Sequence, residues 1–178
     1  MRLFITGKNT PENINFTRYN GTNYPDEPKF SRILADVPCL SDRVSVTVPD
    51  NNIFKPTRTK ERIGLVQVQK GILLSAFKCL LEETGSAVVY STCTLSPVEN
   101  DGAVSAALRE TIVRGLHVDL LGLWTALKPL QEAGLFVMNR TKFGVLIEPS
   151  VISNFGPMFV SRIVYIQPDA EQVSSNEV

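Results

Sequence analysis

The stretch "SAVVYSTCTLSPVEN" (86–100) changes character twice, and its reading decides the fold. "AVVYS" (87–91) is a short apolar run with Gly85 just ahead of it. Its length and β-branched content predict a buried strand. Ser96-Pro97-Val98-Glu99 has the form of a capping box, with proline at the first helical position. A helix is therefore predicted to run on to about Arg114. A strand that feeds a helix through a short turn is the unit of an α/β fold. That unit puts Cys93 in the turn, directly beyond the strand.

The same arrangement recurs upstream. "SRILADV" predicts a buried strand from Ile33 to Val37, ended by Pro38, and Cys39 follows at once. From about Glu61 to Glu82 the apolar residues Leu65, Val68, Ile72, Leu73, Ala76, Phe77, Leu80 and Leu81 fall at helical spacing, and Gly85 is read as the stop. Cys79 lies beside this stripe and reads as a buried structural thiol. Between Cys39 and Lys60 runs a long polar loop, "CLSDRVSVTVPDNNIFKPTRTK", and loops of that length in a compact domain are usually functional or disordered.

Towards the N-terminus, "INFTR" (14–18) could form a short strand, and 19–28 is turn chemistry. Towards the C-terminus, "LHVDLLGL" (116–123) reads as a strand or strand end. "FGVLIEP" (143–149) and "MFVSRIVYIQ" (158–167) read as two more strands. No helix separates those two, so an antiparallel pair at one edge is expected. The expected fold class is α/β, a doubly wound sheet with an antiparallel edge hairpin. Residues 1–167 form one domain in this reading, and 168–178 a disordered polar tail.

Composition narrows the function. A chain of 178 residues suits a single domain. Lys plus Arg and Asp plus Glu both total 18, so any nucleic-acid contact must come from a local patch. No apolar stretch reaches membrane-spanning length, and no signal peptide is visible. The 3 cysteines are too few and too irregularly spaced for a disulfide framework or a zinc site, and a reduced compartment is expected. The only histidine, His117, falls on a predicted strand beyond the second helix, which argues against a Cys–His protease.

Ligands of open α/β sheets bind outside the carboxyl ends of the strands, where Cys39 and Cys93 both sit. Each could be merely a small residue at a strand end. The sharper alternative is covalent catalysis by a thiolate. With no imidazole nearby, activation would fall to something such as the N-terminal end of the helix near Pro97. Arg43, Lys55, Arg58, Lys60 and Arg62 form a basic cluster next to Phe54. It reads either as a solvated loop and helix start or, beside a cysteine crevice, as an RNA contact.

"ADVPC" (35–39) followed by "VVYSTCTLSPVEND" (88–101) resembles the two signature motifs of the Sun-domain (Fmu-type) RNA cytosine-5 methyltransferases. "NNIFKPTRTKER" (51–62) and "SNFGPMF" (153–159) are similar to the mitochondrial ribosomal-RNA branch of that family. The resemblance implies S-adenosylmethionine as methyl donor, a mitochondrial location and a single-stranded or flipped-out cytosine as target. It also implies a protein partner of mitochondrial transcription-termination-factor type. It gives Cys93 the role of nucleophile towards cytosine C6 and Cys39 a part in releasing the product. Asp36 would hold the cytosine ring and also line the cofactor site with Asn20 and Pro38, and the Pro38 backbone would meet the exocyclic amine. No metal is implied.

The family's glycine-rich cofactor loop and the acidic residue after its second strand have no counterpart here. Asn20 stands where an aspartate is usual. The expectation is a catalytic half whose first two strands are missing. Two functions stay open on these residues: an RNA cytosine-5 methyltransferase, or an inactive RNA-binding or partner-binding remnant.

Overall fold

The computed structural model describes residues 17–27, 29–42, 55–152 and 154–168. Six strands form one sheet: β1 (Arg32–Asp36), β2 (Ala87–Thr92), β3 (Val118–Leu120), β4 (Met138–Arg140), β5 (Val145–Ile147) and β6 (Met158–Tyr165). Among the described residues three α-helices accompany them: α1 (Thr59–Lys78), α2 (Ala103–Arg114) and α3 (Trp124–Glu132). The class is α/β, as the alternation of strand and helix patterns predicts.

β1 and β2 are parallel, with Arg32 beside Ala87 and Asp36 beside Ser91. Parallel neighbours need a crossover, and α1 supplies it. β6 runs antiparallel to β2 along its whole length, from Ala87 beside Val164 to Thr92 beside Phe159. Its other edge is shared by β3 and β5, and β4 closes that side as the outer strand of a hairpin with β5. The predicted antiparallel pairing of the last two strands is therefore present. β6 itself lies inside the sheet, with β2 on one edge and β3 and β5 on the other, and the helices cover the face that carries its buried Phe159, Ser161 and Ile163.

α1 and α2 share one core with β1, β2 and β6, built on Leu73, Phe77, Val88, Tyr90, Val104, Phe159 and Ile163. Tyr90 and Phe159 meet edge to face with ring centroids 6.2 Å apart. A smaller cluster of Met138, Val145 and Ile147 is covered by Trp124 and Leu127 of α3.

Several expectations need correcting. The first helix ends at Lys78, short of Glu82. Beyond it, Phe30 N–H donates to the Cys79 carbonyl at 2.8 Å and Leu81 N–H to the Phe30 carbonyl at 2.9 Å, which pulls the chain into strand-like pairing. Gly85, at φ 93°, turns the chain into β2 instead of stopping the helix. α3, which holds Pro129 within it, and the three-residue β4 were not expected. The 116–123 strand shrinks to Val118–Leu120. Of the "INFTR" strand, residues 14–16 lie outside the described residues and Thr17 and Arg18 are not in a strand. The expected tail falls outside them from 169 onward.

Candidate active site

The parallel ladder puts the two cysteines together. Asp36 pairs with Ser91, and Val37 N–H donates to the Ser91 carbonyl at 3.3 Å, so both chains leave the sheet side by side. Cys39 and Cys93 emerge at that end with their Sγ atoms 2.9 Å apart. The Cys93 backbone N–H also donates to Cys39 Sγ at 3.0 Å. Both side chains are half-buried and neither forms a disulfide. The expectation that the two cysteines come together at the ends of adjacent parallel strands is met.

Their electrostatics differ. Burial pushes the Cys39 thiol up to about 12, reinforced by its hydrogen bond to the Cys93 side chain and by the charges of Cys93 and Glu99; the Cys93 N–H opposes this. Either sulfur can donate in this contact, and burial favours the protonated form of Cys39.

The turn after Cys93 is built by its neighbours. The Thr92 hydroxyl donates to Asn100 Oδ1, and Asn100 Nδ2 donates to the Thr94 carbonyl at 2.9 Å. Tyr90 Oη donates to the Glu99 carbonyl at 2.7 Å. Residues Val98–Gly102 form a π-helical turn that leads into α2. The capping box does not form, because Ser96 N–H already donates to Thr94 Oγ1 at 3.1 Å and leaves nothing for Glu99 to accept. Instead Glu99 turns inward. Its Oε2 accepts from Leu40 N–H at 3.0 Å and from Gln69 Nε2 at 2.9 Å. Gln69 Nε2 also donates to the Pro38 carbonyl at 3.0 Å.

The other predicted residues divide. Asp36 and Pro38 are exposed beside the cysteines. One Asp36 oxygen accepts from Ser91 Oγ at 3.1 Å, and among the described residues the other takes no hydrogen bond. Such a free acceptor at the carboxyl end of β1 fits an amine or hydroxyl donor of a cofactor or a base. Asn20 fits less well, since its Oδ1 accepts from Thr22 N at 3.1 Å and Thr22 Oγ1 at 2.9 Å in the turn Gly21–Asn23. Arg43 and Phe54 lie outside the described residues. Lys55 and Lys60 are exposed, whereas Arg58 is paired with Glu61 at 2.7 Å and Arg62 donates to Thr59 Oγ1 at 2.9 Å.

His117 accepts from Ile166 N–H through its carbonyl, at the end of β6 that faces the start of β2. The cysteines lie beyond the opposite end. Cys79 is buried, with Sγ donating to the Pro25 carbonyl at 3.3 Å, and burial pushes its thiol up. Among the described residues no group of three His, Cys, Asp or Glu could hold a metal.

Sequence reasoning missed Gln69, Asn100 and Asp101, and read Glu99 only as a cap. Gln69 did leave a signal: it falls between Leu65 and Leu73 on the apolar stripe of α1, a polar residue in a core position. Asp101 accepts from Thr141 Oγ1 at 2.8 Å and Phe143 N at 3.0 Å, tying the cysteine turn to the β4–β5 hairpin. Nothing local in the sequence announces that contact.

Comparison with known proteins bears on this geometry. The Caenorhabditis elegans protein "5-cytosine rRNA methyltransferase nsun-4" is 36% identical over 141 residues, covering 78% of this chain and 30% of that protein. The Xenopus tropicalis "5-cytosine rRNA methyltransferase NSUN4" is 33% identical over 139 residues, covering 78% of this chain and 34% of its own length. A Saccharomyces cerevisiae "Multisite-specific tRNA:(cytosine-C(5))-methyltransferase" is 44% identical over 92 residues, covering 51% of this chain and 13% of that one. The chain thus spans about a third of the length of the first two relatives. A family model described as "16S rRNA methyltransferase RsmB/F" matches residues 8–122, a span that contains both strand-end cysteines. With more than half of its length under that match, the chain belongs to the RsmB/F family of 16S rRNA methyltransferases.

Proposed function

We propose that this chain carries the catalytic cysteines of an RNA cytosine-5 methyltransferase that uses S-adenosylmethionine and acts on ribosomal RNA in the mitochondrion. The observation that carries the reading is the pair of thiols 2.9 Å apart where β1 and β2 end. Cytosine C5 is a weak nucleophile. A Cys93 thiolate adding to C6 pushes electron density to C5, so that C5 can take up a methyl group. S-adenosylmethionine, when bound, supplies that methyl as an electrophile. Release then needs loss of the C5 proton to a base. The C5–H electron pair restores the C5–C6 double bond, and the C6–S bond breaks to return the Cys93 thiolate. Cys39, holding its proton at neutral pH, donates a hydrogen bond to the departing sulfur. Asp36 offers its free oxygen to the ring or to the cofactor. Mitochondrial relatives, such as the Danio rerio "tRNA (cytosine(34)-C(5))-methyltransferase, mitochondrial", support the location.

The test is to incubate the protein carrying this chain with ribosomal RNA and S-adenosylmethionine and run a denaturing gel. Cys93→Ala should neither methylate nor retain RNA. Cys39→Ala should hold RNA in a denaturant-resistant band. Trapping by Cys93→Ala, or normal turnover by Cys39→Ala, overturns the two roles.

A further inference from the structure

Gln69 and Glu99 are 0% and 1% exposed, among the largest fully buried side chains of the described residues. A buried amide and carboxylate are costly unless hydrogen-bonded, and an apolar side chain usually does as well in a purely structural position. Gln69 shares its stripe on α1 with Leu65 and Leu73, so the helix itself has no need of an amide there. What the pair holds is the loop after β1. The β1–β2 register stops at Asp36, and the last bond of that ladder reaches Val37. Beyond it, the Pro38 carbonyl is held by Gln69 and the Leu40 N–H by Glu99, each at 3.0 Å, and Gln69 and Glu99 bond each other at 2.9 Å. The peptide groups grasped are those on either side of Cys39.

We propose that Gln69 and Glu99 are positioning residues, a buried clamp that fixes Cys39 where its sulfur meets Cys93. The thiol contact is 2.9 Å long, and a shift of about 1 Å in the loop would break it. The consequence for turnover rests on the methyltransferase reading above; the placement of the thiol does not.

The experiment uses the whole chain and a Gln69→Met variant, which keeps the side-chain length and donates nothing. Iodoacetamide labelling of each cysteine is followed by mass spectrometry. Cys39 should label about tenfold faster, the size expected from losing the buried hydrogen bond that holds the Pro38 carbonyl. Cys79, at the end of the same helix, should keep its rate. Glu99→Gln retains an oxygen for Leu40 N–H and should raise the Cys39 rate less than Gln69→Met does. If all three cysteines speed up together, the pair only supports the core and the proposal is overturned. If none changes, Cys39 is held by something else, which also overturns it.

Should Gln69→Met not fold, hydrogen exchange of the Leu40 amide in the native chain decides. Protection close to that of the β2 amides supports the clamp, and exchange as fast as an exposed loop overturns it.

A second arm adds RNA and S-adenosylmethionine. Gln69→Met should retain RNA on Cys93 as Cys39→Ala does. If Cys39→Ala retains RNA and Gln69→Met turns over normally, the clamp has no part in release. If no variant retains RNA, the enzymatic reading fails, and the labelling rates still decide the clamp.

Discussion

Two sulfurs 2.9 Å apart cannot ionise independently. Burial holds the Cys39 thiol up near 12. In the unfolded chain the same group titrates near the ordinary thiol value of about 8.5. The folded state therefore retains a proton that the unfolded state loses, and stability must fall as pH rises through that interval. Urea unfolding at pH 8 and pH 10 should show a loss of stability that is smaller in Cys39→Ala. An equal loss in both would mean that Cys39 does not carry it. Cys79 tests the other assignment, since it is buried and bonded to the Pro25 carbonyl. It should label with iodoacetamide more slowly than Cys93. Faster labelling would contradict its structural role.

Between elements, single polar or small residues do the joining. Asp101 sits in the π-helical turn and binds the 141–143 segment through Thr141 Oγ1, Lys142 N and Phe143 N, the last two at 3.2 and 3.0 Å. Asp101→Ala leaves those donors without their acceptor and should cost about 1–3 kcal/mol in urea unfolding. A change below about 0.5 kcal/mol would place the turn under other control. Gly144 is tighter still: a Cβ there would stand 2.3 Å from the Val160 carbonyl oxygen and 2.8 Å from the Phe159 ring. Gly144→Ala should therefore destabilise the β5–β6 pairing by about 3 kcal/mol. The long α1 was legible because its apolar residues recur at helical spacing. α3 carries Pro129 inside it and β4 is only three residues long, so neither was legible, and their cover comes from Trp124, Leu127 and Met138 meeting only in the folded chain.

Across the molecule, a pair of exposed lysines and an exposed apolar strand edge call for separate tests. Lys55 and Lys60 are exposed at the start of α1, while Arg58 is engaged with Glu61. If the two lysines meet phosphates of single-stranded RNA, replacing both with alanine should reduce the salt slope of binding by about 1.4. An unchanged slope returns them to a solvated helix start. The outer edge of β1 is different in kind. Leu34 is 70% exposed there, beside a groove of about 370 Å³ lined by Tyr24, Phe30, Ile33 and Ile72. Among the described residues that edge has no partner strand, and such an edge with apolar side chains favours self-association. Leu34→Lys should lower the light scattering of concentrated samples without altering the unfolding midpoint by more than a few degrees. Equal scattering would show that the edge is not responsible.

From the sequence alone, the strands that end before Cys39 and Cys93 and the helices that follow could be read, with the α/β class they imply and the buried place of Cys79. Those features are local: apolar runs, helical spacing, and proline at a strand end state their own conformation within a few residues. The 2.9 Å contact between the sulfurs came only with the register that sets Asp36 beside Ser91, because pairing across residues distant in sequence has no local code. The role of Glu99 was decided in the same way. Its local pattern names a helix cap, and the Thr94 hydroxyl, by satisfying Ser96 N–H first, frees the carboxylate to turn inward to Gln69 and the Leu40 amide. A buried polar group takes whichever partner the packed core offers, and that offer is made only when the helix, the loop and the turn have come together.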